Sequence, residues 1–259
     1  AFQVAVGGAL LERGELPTDY LIKGVALALE SRGFGAPTVD AGLRLSVVDN
    51  ILYYDMGDDL WTCVRFAGGH WDLTDAGPRF VRGDGSLVQR RPIATSTSLR
   101  EYLSRFIKAE DRTLRLCEAW LVGALKPGGP YPILTINGEQ GSAKSTTSRL
   151  LRRLIDPHGR DLREPPGGAR DLTAAAKNSF VLAFDNVSRL PYWLSDSFCR
   201  IATGTGSIGG RALYTDNDDA SFVACRPILL NGIPDFVERE DLADRAISIH
   251  LPAIAPRDR

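Results

Sequence analysis

The sequence predicts an α/β fold with a largely parallel sheet, preceded by helices and a short β-rich stretch. Three observations carry this. From residue 131 onward, strand-like and helix-like segments alternate. The strand-like runs YPILTIN, SFVLAFDN and RPILLNG are nearly continuous in apolar residues, as expected where both faces of a sheet are covered. Residues 134–151, LTINGEQGSAKSTTSRLL, pass from such a run through a Gly/Ser-rich loop with a single lysine into a helical pattern.

The elements follow in order. Residues 16–32 place Leu21, Val25, Ala28 and Leu29 on one helical face, and Gly33 and Gly35 end that helix. Residues 1–42 are read as an N-terminal helical segment. RLSVVDNILYYD, LWTCVRFA, HWDL, RFVRG and SLVQRRP are short β-type runs punctuated by Gly-Asp, Gly-Gly and Asp-Gly pairs. They predict a small antiparallel β-rich domain over 43–97, with 93–97 as linker. Ser98 followed by Glu101 forms a capping box that opens a helix over 98–108. A second helix, 110–125, carries Leu114, Cys117, Trp120, Leu121 and Leu125 at helical spacing, and Lys126-Pro127-Gly128-Gly129-Pro130 stops it. The remaining core, 98–259, continues as strand 131–137, helix 144–155, helix 171–178, strand 179–186, helix 192–204, strand 226–232, then a turn and a final strand before 251.

Composition narrows the function classes. Hydrophobic residues make up 44% and charged residues 24%, the balance of a soluble globular chain. The net charge of −1 excludes a small, globally basic nucleic-acid binder. Of 31 basic residues only five are lysine (Lys23, Lys108, Lys126, Lys144 and Lys177), so the lysine inside the loop is informative. Cys63, Cys117, Cys199 and Cys225 lie far apart and the three histidines are scattered, which gives no zinc-type spacing and favours reduced thiols in the cytoplasm. The four tryptophans are expected as core or partly buried packing residues. There is no apolar run long enough for a transmembrane helix. The opening AFQVAVGGALL lacks Met and a basic stretch, so it is not read as a signal peptide, and the sequence is expected to be a piece of a longer polypeptide.

Residues 138–145, GEQGSAKS, follow the phosphate-loop pattern G-x-x-x-x-G-K-[ST] with Ala143 in place of the second glycine. The chemistry requires this arrangement. Successive backbone N–H groups cradle a β-phosphate and the following helix N-terminus adds positive potential. Lys144 is expected on the β- and γ-phosphates and Ser145 on Mg²⁺. Gly138, Glu139, Gln140, Gly141, Ser142, Ala143, Lys144, Ser145 and Thr146 form the expected ATP-binding set. Ala143 costs little there provided that its φ is negative. Downstream, SFVLAFDN ends in Asp185, the expected second Mg²⁺ residue. The next position, where an acid would orient the attacking water, holds Asn186. Glu139 is the first candidate for a substitute carboxylate and Asp244 the second. Arg149, Arg152 and Arg153 are expected on a solvated helix face.

The order of segments resembles a known family. It runs G-x4-A-K-S, Asp-Asn at a strand end, TGTGSIGGRALY with a hairpin, PILLNGIP, then Asp-Arg before a strand. This resembles the superfamily 3 helicases of the AAA+ class, above all the helicase halves of phage, plasmid and poxvirus-type primase–helicases. The resemblance covers about 98–251. It implies a P-loop NTPase with the additional-strand parallel sheet, order 5-1-4-3-2. It implies that Asn231, ending the strand 226–231, faces the γ-phosphate, and that Arg245, with Arg239 as competitor, reaches a neighbouring subunit's ATP as a finger. It places Arg211 on a DNA-tracking hairpin with Thr215–Asp219 at its tip. It also implies ATP and Mg²⁺ as cofactors, a hexameric homo-oligomeric ring acting on DNA, and a primase domain beyond this sequence. Ala143, Asn186 and the acidic hairpin tip depart from the pattern. Three functions are therefore weighed. The first is a replicative helicase motor, the second an ATP-binding switch with weak hydrolysis, and the third a small-molecule P-loop kinase.

Overall fold

In the computed structural model, residues 2–35, 41–208, 222–232 and 236–255 are described. The elements are α1 (Phe2–Glu12), α2 (Asp19–Gly33), β1 (Leu45–Val48), β2 (Ile51–Asp55), β3 (Cys63–Ala67), β4 (His70–Thr74), α3 (Leu99–Phe106), α4 (Asp111–Ala124), β5 (Ile133–Gly138), α5 (Lys144–Ile155), α6 (Ala169–Asn178), β6 (Leu182–Phe184), α7 (Tyr192–Thr203), β7 (Ser207–Ile208), β8 (Phe222–Val223), β9 (Ile228–Gly232), α8 (Glu240–Ala243) and β10 (Ala246–Leu251). They divide into two compact units, Ala1–Asp40 and Ala41–Arg259.

The first unit holds α1 and α2. Thr18 starts α2 by accepting a hydrogen bond from the Leu21 N–H at 3.3 Å. Helix α1 falls inside the 1–42 segment read as helical, although the periodicity argument there located only the second helix.

The second unit is organised by a four-stranded sheet in the order β10-β5-β9-β6, with every neighbouring pair parallel. Side chains alternate between its two faces. Leu134, Ile136, Val181, Ala183, Leu229, Ile249 and Leu251 face a core that also contains Trp120 of α4 and Leu151 of α5. Ile133, Leu182, Phe184, Ile228 and Leu230 face the other way, onto Leu172 of α6 and Phe198 of α7. Helices thus cover both faces, which is why these strands read as unbroken apolar runs. Each fully buried Leu adds roughly 1.5–3 kcal/mol of burial free energy.

Four of the five expected strands are present among the described residues. At the outer edge of β6, where the fifth would lie, there is a single parallel bridge between Arg163 and Phe184. Arg163 N–H donates to Ala183 O at 3.0 Å and Asp185 N–H donates to Arg163 O at 2.8 Å. The segment around it, PHGRDLREPPGG, has three prolines, glycines and charges but no apolar run, so it cannot extend the ladder.

The β-rich stretch forms an antiparallel meander, β1-β2-β3-β4. It lies in the same unit as the parallel sheet. Leu45, Tyr54, Met56 and Val64 join the core built on Trp120 and Leu151. RFVRG and SLVQRRP, expected as strands, are loops. Their backbone groups bond outside the meander ladder: Val81 N–H to Gly42 O at 2.9 Å, Leu87 N–H to Pro157 O at 3.0 Å and Gln89 N–H to Met56 O at 2.7 Å. Arg44, fully buried, ties this layer to the end of α5. It donates to Asp156 Oδ1 at 3.1 Å and to the carbonyls of Asp55, Leu87 and Pro157 and the Ser86 hydroxyl.

Ser98 caps α3 by accepting from the Glu101 N–H at 3.2 Å. Arg152 is not on a solvated face: it is fully buried, and its guanidinium donates to Arg160 O and Asp161 O at 2.6 Å each. Arg153 pairs with Asp161 at the surface. Trp120 is buried, whereas Trp71 is 41% exposed. All four cysteines are free thiols. Among the described residues no helix is long and apolar enough to cross a membrane.

Candidate nucleotide site

Three segments meet at the carboxyl edge of the parallel sheet, the edge at which open α/β sheets bind ligands. The loop 138–143 leaves β5, Asp185 follows β6, and Asn231 lies near the end of β9. Gln140, Gly141, Ser142, Ala143, Lys144, Ser145, Thr146, Asp185, Asn186, Asn231 and Gly232 line one cavity of about 340 Å³.

The loop is shaped by its small residues. A Cβ on Gly138 would lie 2.5 Å from Leu251 O and 2.7 Å from Ser142 Oγ, so only glycine fits beside the end of β10. Gly141 has φ +83°, a left-handed conformation open to glycine at no steric cost. Ala143 also sits in the left-handed region, with φ 60° and ψ 28°, as the residue preceding α5. The condition for a low cost, a negative φ, is therefore not met: the loop keeps the glycine geometry and imposes it on alanine. Such a backbone costs an L-residue about 1–2 kcal/mol, and glycine's greater freedom when unfolded returns about 0.4–1 kcal/mol. Ala143→Gly is accordingly expected to raise stability by up to about 1.6 kcal/mol in urea titration. A lower midpoint in the variant would contradict the strain assignment.

Helix α5 begins at Lys144 with no side-chain cap. The N–H groups of its first turn, from Lys144, Ser145 and Thr146, lack intrahelical acceptors and carry the positive end of the helix dipole. Lys144 Nζ donates to Gly138 O and Glu139 O, both at 2.8 Å. Burial pulls the ammonium below its usual pKa, and the Asp185 carboxylate opposes that shift. Ser145 Oγ donates to Asp185 Oδ1 at 3.0 Å. A hydroxyl and a carboxylate thus lie together beside a lysine and a helix N-terminus. These are hard oxygen donors of the kind that Mg²⁺ accepts.

Asn186 is exposed and left-handed, with φ 57°, a conformation that asparagine tolerates better than most residues. Its N–H lies 2.9 Å from Asp185 Oδ1 and 3.4 Å from Asn231 Oδ1. Asn231, only 1% exposed, donates through Nδ2 to Ser148 Oγ at 2.8 Å. Ser148 in turn donates to Lys144 O at 2.9 Å. The sequence reading missed Ser148, although its position one helical turn after Lys144 puts both on one face of α5.

Other expected residues stand apart. Glu139 is exposed at the loop rim and does not line the cavity; Asp185 is the only acid among the described lining residues. Asp244 follows α8 and is not in the lining either. Arg245 is exposed and donates to Asp241 O at 2.6 Å. Ala246 pairs with Ile133, which places Arg245 at the amino edge of the sheet. The strand rise puts it about 20 Å from its own chain's loop. Arg239 is held by Asp196 at 2.8 Å and by Asp241. Arg211 and the hairpin tip Thr215–Asp219 fall outside the described residues. Among the described residues no group of three or more His, Cys, Asp or Glu side chains gathers as a metal centre.

Fold and site together define an α/β protein with a glycine-rich loop, a lysine and an acid–hydroxyl pair at the carboxyl edge of a parallel sheet. The family model for actinomycete integrative conjugative element replication proteins, RepA, matches residues 99–259. The chain belongs to this family, and its role is that of a replication protein of a mobile element. A comparison with the curated proteins finds no match.

Proposed function

We propose that the chain is an ATP-binding and ATP-hydrolysing motor domain of a conjugative element's replication machinery. In this reading it is a P-loop ATPase of the AAA+ class that works as a homo-oligomeric ring, a hexamer, on DNA in the cytoplasm. The observation that carries the reading is the convergence of Lys144, Ser145, Asp185 and Asn231 on one cavity beside the open N-terminus of α5. The strand order β10-β5-β9-β6 supports it, because it places β9 between the loop strand and the Asp185 strand, as in 5-1-4-3. The family's replication role supplies the DNA.

In this reading the loop N–H groups and Lys144 bind and orient the phosphates. Ser145 and Asp185 hold Mg²⁺, which neutralises phosphate charge when bound. Asn231 orients the attacking water. Arg245, remote from its own loop, completes the site of a neighbouring subunit.

Steady-state ATP turnover with and without single-stranded DNA tests the proposal. A motor turns over faster with DNA present. One observation favours a second reading, a nucleotide-dependent switch: among the described residues that line the cavity, Asp185 is the one acid. ATP binding with negligible, DNA-insensitive turnover in the assembled protein would favour the switch.

A further inference from the structure

The amide of Asn231 is fixed from both ends, and Ser148 does the fixing. Ser148 has one hydroxyl hydrogen, and it is spent on Lys144 O at 2.9 Å. Toward Asn231, 2.8 Å away, the hydroxyl therefore only accepts, so Asn231 must present its NH₂ group there. Its Oδ1 then faces the Asn186 N–H at 3.4 Å, a second donor that would clash with an NH₂ group. Both contacts select the same amide orientation. Ser148 is fully buried, so no water lies on its side of the amide to satisfy a reversed Asn231, whose oxygen would face the lone pairs of Ser148 Oγ.

We propose that Ser148 is a positioning residue that locks the amide of Asn231 so that the Oδ1 acceptor is turned toward the Asp185–Asn186 corner of the cavity. The inference rests on the ATPase reading. It gives the site a neutral acceptor for an O–H of the attacking water where Asn186 replaces an acid. It also links β9, which carries Asn231, to the loop helix α5 through the Lys144 carbonyl, so the acceptor and the phosphate-binding lysine keep a fixed spacing.

The test is a kinetic cycle on the full chain: wild type, Ser148→Ala, Asn231→Ala and the double variant, with Ser148→Thr as the hydroxyl-retaining control. Thermal unfolding of each confirms folding. Ser148→Ala is expected to lower kcat about tenfold, the effect of one ordinary hydrogen bond realised in the transition state, with KM for ATP within about twofold of wild type. In the Asn231→Ala background, Ser148→Ala is expected to change nothing further, because there is no amide left to orient. Where Ser148→Thr folds, it is expected to restore most of kcat. An unchanged kcat in folded Ser148→Ala, a change confined to KM, or multiplicative effects in the double variant would each overturn the inference while leaving the ATPase reading intact. Absence of turnover in wild type, with or without DNA, would overturn that reading and this inference with it.

Discussion

Lys144→Ala is expected to lower ATP turnover at least about a hundredfold, the scale on which removing a preorganised charge or donor from a transition-state site acts. Lys144 is held by two loop carbonyls at 2.8 Å, and burial has lowered its pKa. Transfer of the ammonium from these neutral carbonyls to phosphate oxygens strengthens its partners from dipoles to charges. The variant loses that gain and removes the Nζ donor from Gly138 O, while Glu139 O keeps the Ser142 hydroxyl at 2.9 Å. Lys144→Arg is not expected to rescue, because a planar fork cannot reproduce a compact ammonium seated between two carbonyls. The fold is expected to survive, since Lys144 lies at the helix start and outside both hydrophobic clusters. A folded Lys144→Ala protein that keeps more than a tenth of wild-type turnover would place the chemistry elsewhere.

The second large effect is on stability. Arg44 and Asp156 form a buried pair at 3.1 Å, with side-chain exposures of 0% and 4%. Asp156 Oδ2 also accepts from the Phe180 and Val181 N–H groups at 2.9 and 3.0 Å. One carboxylate thus anchors the entry to β6, and one guanidinium pins the meander to it. Arg44→Met keeps much of the side-chain volume but leaves Asp156 without its nearest cation and removes one donor each from the Asp55, Leu87 and Pro157 carbonyls. Breaking a buried pair from one side costs about 3–5 kcal/mol. For a unit of this size that corresponds to a fall of roughly 6–20 °C in Tm. Chemical denaturation checks it, and a loss under about 1 kcal/mol would show that the pair is replaceable. Because Asp156 lies at the end of α5, the same variant is expected to raise KM for ATP by loosening the helix that carries Lys144 and Ser145.

These two predictions differ in how far the sequence reveals their basis. Lys144, Ser145 and Asp185 are legible because each occupies a fixed place in a strand–loop–helix or strand-end pattern, and the local backbone alone brings them to the sheet edge. Asn231 is legible as the polar end of an apolar run. The strand order is what the family resemblance implies, since it puts β9 between β5 and β6, and the residue pattern alone does not set it. Other features depend on contacts between distant segments. Arg44 and Asp156 are 112 positions apart, and neither neighbourhood marks its residue as buried. Arg152 looks like a surface arginine until Arg160 and Asp161 fold back to give it carbonyls. Ser148 looks like a routine helix serine until β9 brings Asn231 against it. Two local readings fail as well: RFVRG and SLVQRRP are loops rather than strands, and Ala143 does not take the negative φ at which it would cost little. At Ala143 the loop path between β5 and α5, not the residue type, sets the backbone.

The central claim is that the cavity at residues 140–146, 185–186 and 231–232 holds ATP with Mg²⁺. Titration calorimetry of ATP into wild type and Lys144→Ala, each with and without Mg²⁺, tests it most directly. The account predicts one saturable site per chain in wild type, tightened by Mg²⁺ and lost or much weakened in the variant. No binding in wild type, or equal binding by the two folded proteins, would contradict it.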